Sequence, residues 1–254
     1  MIGLDFPVKP QWIHDVLNLW QSHQPIGDLV QAALAQTMTE LGGVKTRQNS
    51  LTIILRYFVA MEGGGHSRRT AARDVWVAYS RVYPAGTLAP AYLAHLIAQN
   101  EVAQEAGRFI TRRHAPGDTL TSRDLRRHIT GLFGERKVVI NASSAFLRTL
   151  QYFGVLADGD RLGEYRFTTR LPVPREAFPL VVWAWWQRHL APQIDLDGLA
   201  EDPAVAFLQH EGFHDLWRAY QPALWTLEER LEVRRATLKY VAADSLEEAL
   251  LTLV

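Results

Sequence analysis

Between Thr121 and Thr169 the spacing of apolar positions changes from one period to another. Leu125, Ile129, Leu132 and Phe133 recur every three or four residues, and so do Ala142, Phe146, Leu150 and Phe153. Each set lays one apolar stripe along a helix. Beyond Gly154 the helical spacing stops. Val155-Leu156-Ala157 and the alternating stretch from Tyr165 to Thr169 read as two short strands, and Asp158-Gly159-Asp160 with Gly163 supplies the turn between them. Thr121, with Asp124 three residues on, is a weak capping box for the first helix. Asn141 predicts the cap of the second, which then runs to Phe153 and ends at Gly154. On that assignment the connection from Gly134 to Ile140 is longer than the usual turn between such helices. Helix, turn, helix and hairpin is the order of a winged helix-turn-helix. The alternative is a helical pair closed by a hairpin that docks another protein or nothing.

The same reading extends outward. Pro10 to Trp20 and Ile26 to Leu41 carry helical stripes, the second ending at Gly42-Gly43. Asn49-Ser50 predicts the cap of a helix running to Met61. Gly63-Gly64-Gly65 lacks the preceding strand and the Lys-Ser/Thr ending of a phosphate loop, so it reads as a turn. His66 to Tyr83 predicts a basic helix with Arg68, Arg69, Arg73 and Arg81 on one side; with the helix before it, it reads as scaffold or as a second helix-turn-helix. Leu88 to His114 is one long helix or two abutting ones, leading into a short edge at Thr119-Leu120. Arg170 to Pro174 reads as a proline-punctuated linker. A helix over Glu176–Leu190, another from Pro203 to about Tyr220 capped by Asp202, and a last one capped by Asp244-Ser245 follow. Trp225 to Tyr240 fits helix or strand. The expected fold is mainly α, a helical protein with a central winged helix-turn-helix and a small β-hairpin wing. Its regions are a helical 1–87, the winged unit 88–170 and a mainly helical 171–254.

The polar positions of the central unit suggest its chemistry. Ser144, Arg148 and Gln151 fall on one stripe of the second helix, beside Asn141 and Ser143 near its start. Small polar groups and an arginine able to fork onto guanine or phosphate suit a recognition helix. Arg123, Arg126 and Arg127 cannot all be buried, and Arg161 and Arg166 fall on or near the hairpin. These residues form the candidate DNA-binding set. Net charge is zero, yet from Lys45 to Leu150 Lys and Arg exceed Asp and Glu by nine, while Asp195 to Asp215 holds six acids and no Lys or Arg. A basic middle between acidic ends permits a local phosphate-binding face but argues against a strong non-specific polyanion binder.

Absence of cysteine excludes disulfides and thiolate zinc sites, which fits a reducing cytoplasm. The N-terminus has no signal-peptide pattern. Ala177 to Gln187, the most apolar stretch at 11 residues, is too short to span a bilayer, so no membrane partner is expected. Its tryptophans, Trp183, Trp185 and Trp186, suit a core-packing helix or a partner interface. The sharpest catalytic pattern is His210-Glu211-Gly212-Phe213-His214, an H-E-x-x-H match. On a helix both histidines would lie one turn apart and could hold zinc. Against it stand the missing third ligand (Glu228 or Glu229 being positional guesses), the charge of Asp215 and the helix-weakening Gly212. The expectation is therefore a protein that is not an enzyme, with no cofactor and no metal site, and a zinc hydrolase as an alternative.

One resemblance sharpens this. LAPAYLAHLIAQNEVAQEAGRFI, then LTSRDLRRHI, then INASSAFLRTLQYFGVL resemble, in order and character, the middle of the BrxA family of BREX phage-exclusion systems. The resemblance covers about half the chain; the Trp-rich stretch and the acidic C-terminal third have no assigned counterpart. It implies a small, mostly helical, non-enzymatic accessory component of a phage-defence complex. Such a protein binds double-stranded DNA beside a methyltransferase and an ATPase, and the resemblance carries over no catalytic residue. The alternative partner class is protein, with the winged unit and the tryptophans as docking surfaces.

Overall fold

The computed structural model describes residues 4–21, 25–59, 74–221, 223–230, 233–240 and 242–254. The triple glycine Gly63-Gly64-Gly65 and the arginines Arg68, Arg69 and Arg73 lie outside them. Two helices open the chain, α1 (Pro10–Leu19) and α2 (Ile26–Gln36). Pro10 is in the first turn of α1, where its missing N–H has no intrahelical partner to lose. α2 stops short of the expected Leu41: Thr37 is extended and Met38 has φ 56°. α3 (Val44–Ile54) runs into a single π turn, Leu55–Val59. Asn49 and Ser50 lie inside α3 rather than capping it, and the buried Ser50 hydroxyl donates to Pro7 O (3.0 Å). α4 (Asp74–Val82) follows, then α5 (Ala85–Ala98) and α6 (Glu101–Arg113). The break between the last two falls at Asn100, whose side chain accepts from Ala103 N (2.8 Å) and donates to the Tyr57 hydroxyl (3.1 Å).

β1 (Thr119–Thr121) leads directly into α7 (Ser122–Phe133), and α8 (Lys137–Tyr152) follows. β2 (Leu156–Asp158) and β3 (Glu164–Phe167) form the hairpin, and β1 pairs with β3 to give an antiparallel sheet in the order β1-β3-β2. Glycine sets two features here. Gly154 (φ 79°) closes α8, with Gly154 N–H donating to Gln151 O and Val155 N–H to Leu150 O, both at 2.9 Å, the paired bonds of a Schellman end. A Cβ on Gly159 would sit 2.7 Å from Glu164 Cβ, so the hairpin closes only with glycine there.

The C-terminal third is less helical than its sequence suggests. A 3-10 turn, Arg175–Ala177, precedes α9 (Phe178–His189), with Pro179 in the first turn as expected. β4 (Gln193–Asp195), α10 (Leu196–Ala200) and a 3-10 turn at Pro203–Val205 come next, and then α11 (Phe213–Tyr220). Asp202 does cap, through Ala204 N (2.8 Å), but caps only the 3-10 turn. The continuous helix expected from Pro203 is absent, because 206–212 turns away to meet the stretch after β3. There Leu171 N–H donates to Phe207 O and Gln209 N–H to Leu171 O, both at 2.8 Å, so the expected linker is tied into the fold. Trp225 to Leu238 resolves as strands, β5 (Trp225–Arg230) and β6 (Val233–Leu238), in a sheet ordered β4-β6-β5. α12 (Ala243–Leu251) closes the chain.

One apolar cluster runs from Leu4 to Leu250 through all three regions. α5 lies at its centre against α1 and α9. Its aromatic heart joins Phe58, Trp76 and Tyr92 to Trp183, with Trp76 and Trp183 centroids 5.5 Å apart. A second aromatic group, Phe178, Phe213, Trp217 and Trp225, fastens α9 to α11 and β5; Trp225 Nε1 donates to Trp217 O (2.8 Å). The protein is thus mainly α, with two small antiparallel sheets among the described residues. Among the described residues no helix is long and apolar enough to cross a membrane.

Candidate nucleic-acid interface

α6, α7 and α8 pack on one another, and the hairpin follows directly. α7 begins with the Thr121 cap: its hydroxyl oxygen accepts from Asp124 N (3.1 Å) and its O–H donates to Asp124 Oδ2 (2.6 Å). This bond, then Arg127, holds the Asp124 carboxyl below its ordinary pKa. Leu125 and Ile129 are buried, and Arg123, Arg126 and Arg127 are exposed, as the stripe demands, but Leu132 of the same stripe is 57% exposed near the end of the helix. Arg127 pairs with Asp124, whereas no ion pair is found for Arg123 or Arg126 among the described residues.

The turn from α7 to α8 corrects one expectation. Only Gly134 (φ 82°), Glu135 and Arg136 separate the helices, a turn of ordinary length for such a pair. Asn141 is an exposed residue of the second turn of α8, not its cap. Val138, Val139 and Ile140 are β-branched and weak helix formers, but Val139 is fully buried, and packing overrides the propensity. The start of α8 has no side-chain cap, and Arg136 and Lys137 stand exposed beside its N–H groups. Such an end favours an anion through its dipole and free donors. Neither residue was in the candidate set; a three-residue turn beginning at Gly134 would have pointed to both.

Along α8 the solvent side carries Lys137, Asn141, Ser144 and Arg148. Ser143 is removed from the set. It is 2% exposed, donates to Val139 O (3.1 Å) and faces the core. Gln151 is half-buried and occupied: Arg148 Nη1 donates to its Oε1 (2.9 Å), and its Nε2 donates to Asp158 Oδ1 on β2 (2.7 Å). Arg148 also lies over the Tyr152 ring, 5.0 Å from the centroid. A hydrogen bond to Tyr152, then the charge of Asp158, favours its charged form. The last turn of α8 is therefore latched to the hairpin, while its first half projects Lys137, Asn141 and Ser144 to solvent, the Ser144 hydroxyl donating to Ile140 O (3.2 Å). Arg161 is exposed in the hairpin turn beside the fully exposed Leu162. Arg166 is exposed on the sheet face opposite the buried Phe167, with Thr119 and Ala157 as cross-strand neighbours.

The two competing sites lose their geometric premises. His210 precedes α11, Gly212 is its cap residue and His214 lies in its first turn, so the histidines do not share a helix face. His210 Nε2 is spent on Val205 O (2.9 Å), and His214 Nδ1 lies 3.1 Å from Glu229. No cluster of three metal-ligating side chains occurs among the described residues. Trp183, Trp185 and Trp186 are all buried within the chain, which leaves no aromatic surface there for a partner.

No protein-family model matches the chain, and no curated protein matches it. A solved structure described as SspB is similar in fold, with a TM-score of 0.59 over 98% of this chain and 86% of that one. Sequence identity is 16%, so the likeness concerns the fold alone.

Proposed function

We propose that α6, α7, α8 and the β2–β3 hairpin act as a winged helix-turn-helix that binds duplex DNA without catalysing a reaction. The observation that carries this reading is the solvent side of α8, where Lys137, Asn141, Ser144 and Arg148 stand beside an uncapped helix start. α8 enters the major groove with Asn141 and Ser144 toward base edges. Arg123, Arg126, Arg136 and Lys137 contact phosphates on one side, and Arg161 at the hairpin turn does so on the other. Arg148, latched to Gln151, braces the hairpin and reaches DNA only at the margin. Backbone contacts supply most of the affinity, so binding is weakly specific and falls with salt. The resemblance to the BrxA family supports a place in the cytoplasm as an accessory component of a bacterial phage-defence complex.

The test is fluorescence anisotropy with a labelled random duplex at low and moderate salt. Micromolar or tighter binding that weakens steeply with salt is expected. A folded protein that leaves the duplex free at low salt would sink the assignment.

A further inference from the structure

A second basic site lies on the other flank of α6, away from α7. A cleft of about 390 Å³ opens between the last two turns of α6 and the 200–210 segment, lined by Arg108, Arg112, Arg170, His210, Glu201 and Thr111 among others. None of these belongs to the duplex-binding set. Arginines at the end of a helix usually answer the negative end of its dipole, and Arg108 also pairs with Glu105. Arg170 has neither explanation. It comes from the segment after β3, and its Nε is buried with no hydrogen-bond partner among the described residues. An orphaned charged donor of this kind is costly unless something accepts from it. His210 sits beside it with Nε2 committed to Val205 O (2.9 Å), which leaves Nδ1 to take a proton. Burial first, and then the Arg170 charge, holds the His210 pKa below its ordinary value.

We propose that this cleft binds a single phosphate group, with Arg112 and Arg170 as charged donors and His210 gaining a proton as the anion enters. The charge count sets the size of the ligand. Glu105 neutralises Arg108, Glu201 offsets one of the remaining arginines, and Glu211 lies close to His210. The surplus suits one phosphate monoester or diester and not a polyphosphate. The source is a free phosphate or nucleoside monophosphate, or else one phosphodiester of a bound nucleic acid.

NMR of the histidine rings on the full chain tests this, with His210 assigned by the resonance lost in His210→Gln. Inorganic phosphate, AMP and a short duplex are titrated separately at fixed ionic strength, with chloride as the comparator. A saturable upward shift of the His210 pKa by phosphate or AMP, weakened about ten-fold in Arg112→Ala, is the expected result. A shift by the duplex alone assigns the cleft to a backbone phosphate. An equal shift with chloride, or none with any probe up to about 10 mM, overturns the proposal. Because the cleft shares no residue with the α8 face, loss of duplex binding in α8 variants leaves the phosphate and AMP titrations unchanged.

Discussion

α8, of 16 residues, and α9, of 12, have opposite surroundings. α8 buries Val139, Ala142, Phe146 and Leu150 on one side and shows Lys137, Asn141, Ser144 and Arg148 on the other. α9 has no such division: every residue from Phe178 to Trp186 is buried. The difference follows from pattern. A helix with a polar stripe lies at a surface, and a helix apolar on all sides lies inside. Dense tryptophan therefore marks the interior of this protein, and the sparse polar stripe marks a solvent-accessible face.

The comparison breaks most visibly where the core is cut. Trp183→Ala removes a 2% exposed ring packed at a tilt against Trp76 and should cost about 3–5 kcal/mol in denaturant unfolding. A loss under about 1 kcal/mol would mean that α9 is peripheral. Within α8 the contrast narrows to adjacent residues. Ser143→Asp buries an unpaired carboxylate and should destabilise by about 3 kcal/mol or more. Ser144→Asp should leave stability within about 0.5 kcal/mol of wild type while weakening duplex binding. Equal thermal stabilities for the two variants would erase the distinction between the two sides of the helix.

Much of this was legible in sequence. Leu125 and Ile129 of α7, the apolar positions of α8 and the Thr121 cap are readable from spacing and turn chemistry, whereas Leu132, on the same predicted stripe, is exposed. Three features were not. The start of α8 is hidden because Val138-Val139-Ile140 has low helix propensity and is helical only through the burial of Val139. Ser143 and Ser144 look alike in sequence, and only their rotation about the helix axis separates core from solvent. His210 to His214 matches a zinc pattern, but its helix starts three residues too late, after 206–212 bends to pair with Leu171. Long-range pairing of that kind leaves no local signal.

Two smaller effects sharpen the picture at element ends. Thr121→Ala removes the cap of α7 and should cost about 1 kcal/mol, read from the urea midpoint; an unchanged midpoint would show that Asp124 suffices. Glu40 accepts from Lys9 Nζ and Trp12 Nε1, both at 2.8 Å. The Lys9 bond first, with its own backbone N–H next, pulls its pKa from 4.5 down to about 2. Its folded pKa is depressed, so its contribution is present above the ordinary carboxylate pKa and is lost as pH falls through that window. Glu40→Gln should therefore flatten the melting temperature between pH 4.5 and about 2; an unaltered slope would assign the acid sensitivity elsewhere.

The most direct test of the α8 face is the salt dependence of duplex binding in an Arg126→Ala/Lys137→Ala variant beside the wild type. Loss of two phosphate contacts should weaken binding at every salt concentration and reduce the slope of log affinity against log salt by about 1.8. Affinity and slope equal to wild type, in a variant that melts at the same temperature, would contradict the account and place any duplex contact away from α7 and α8.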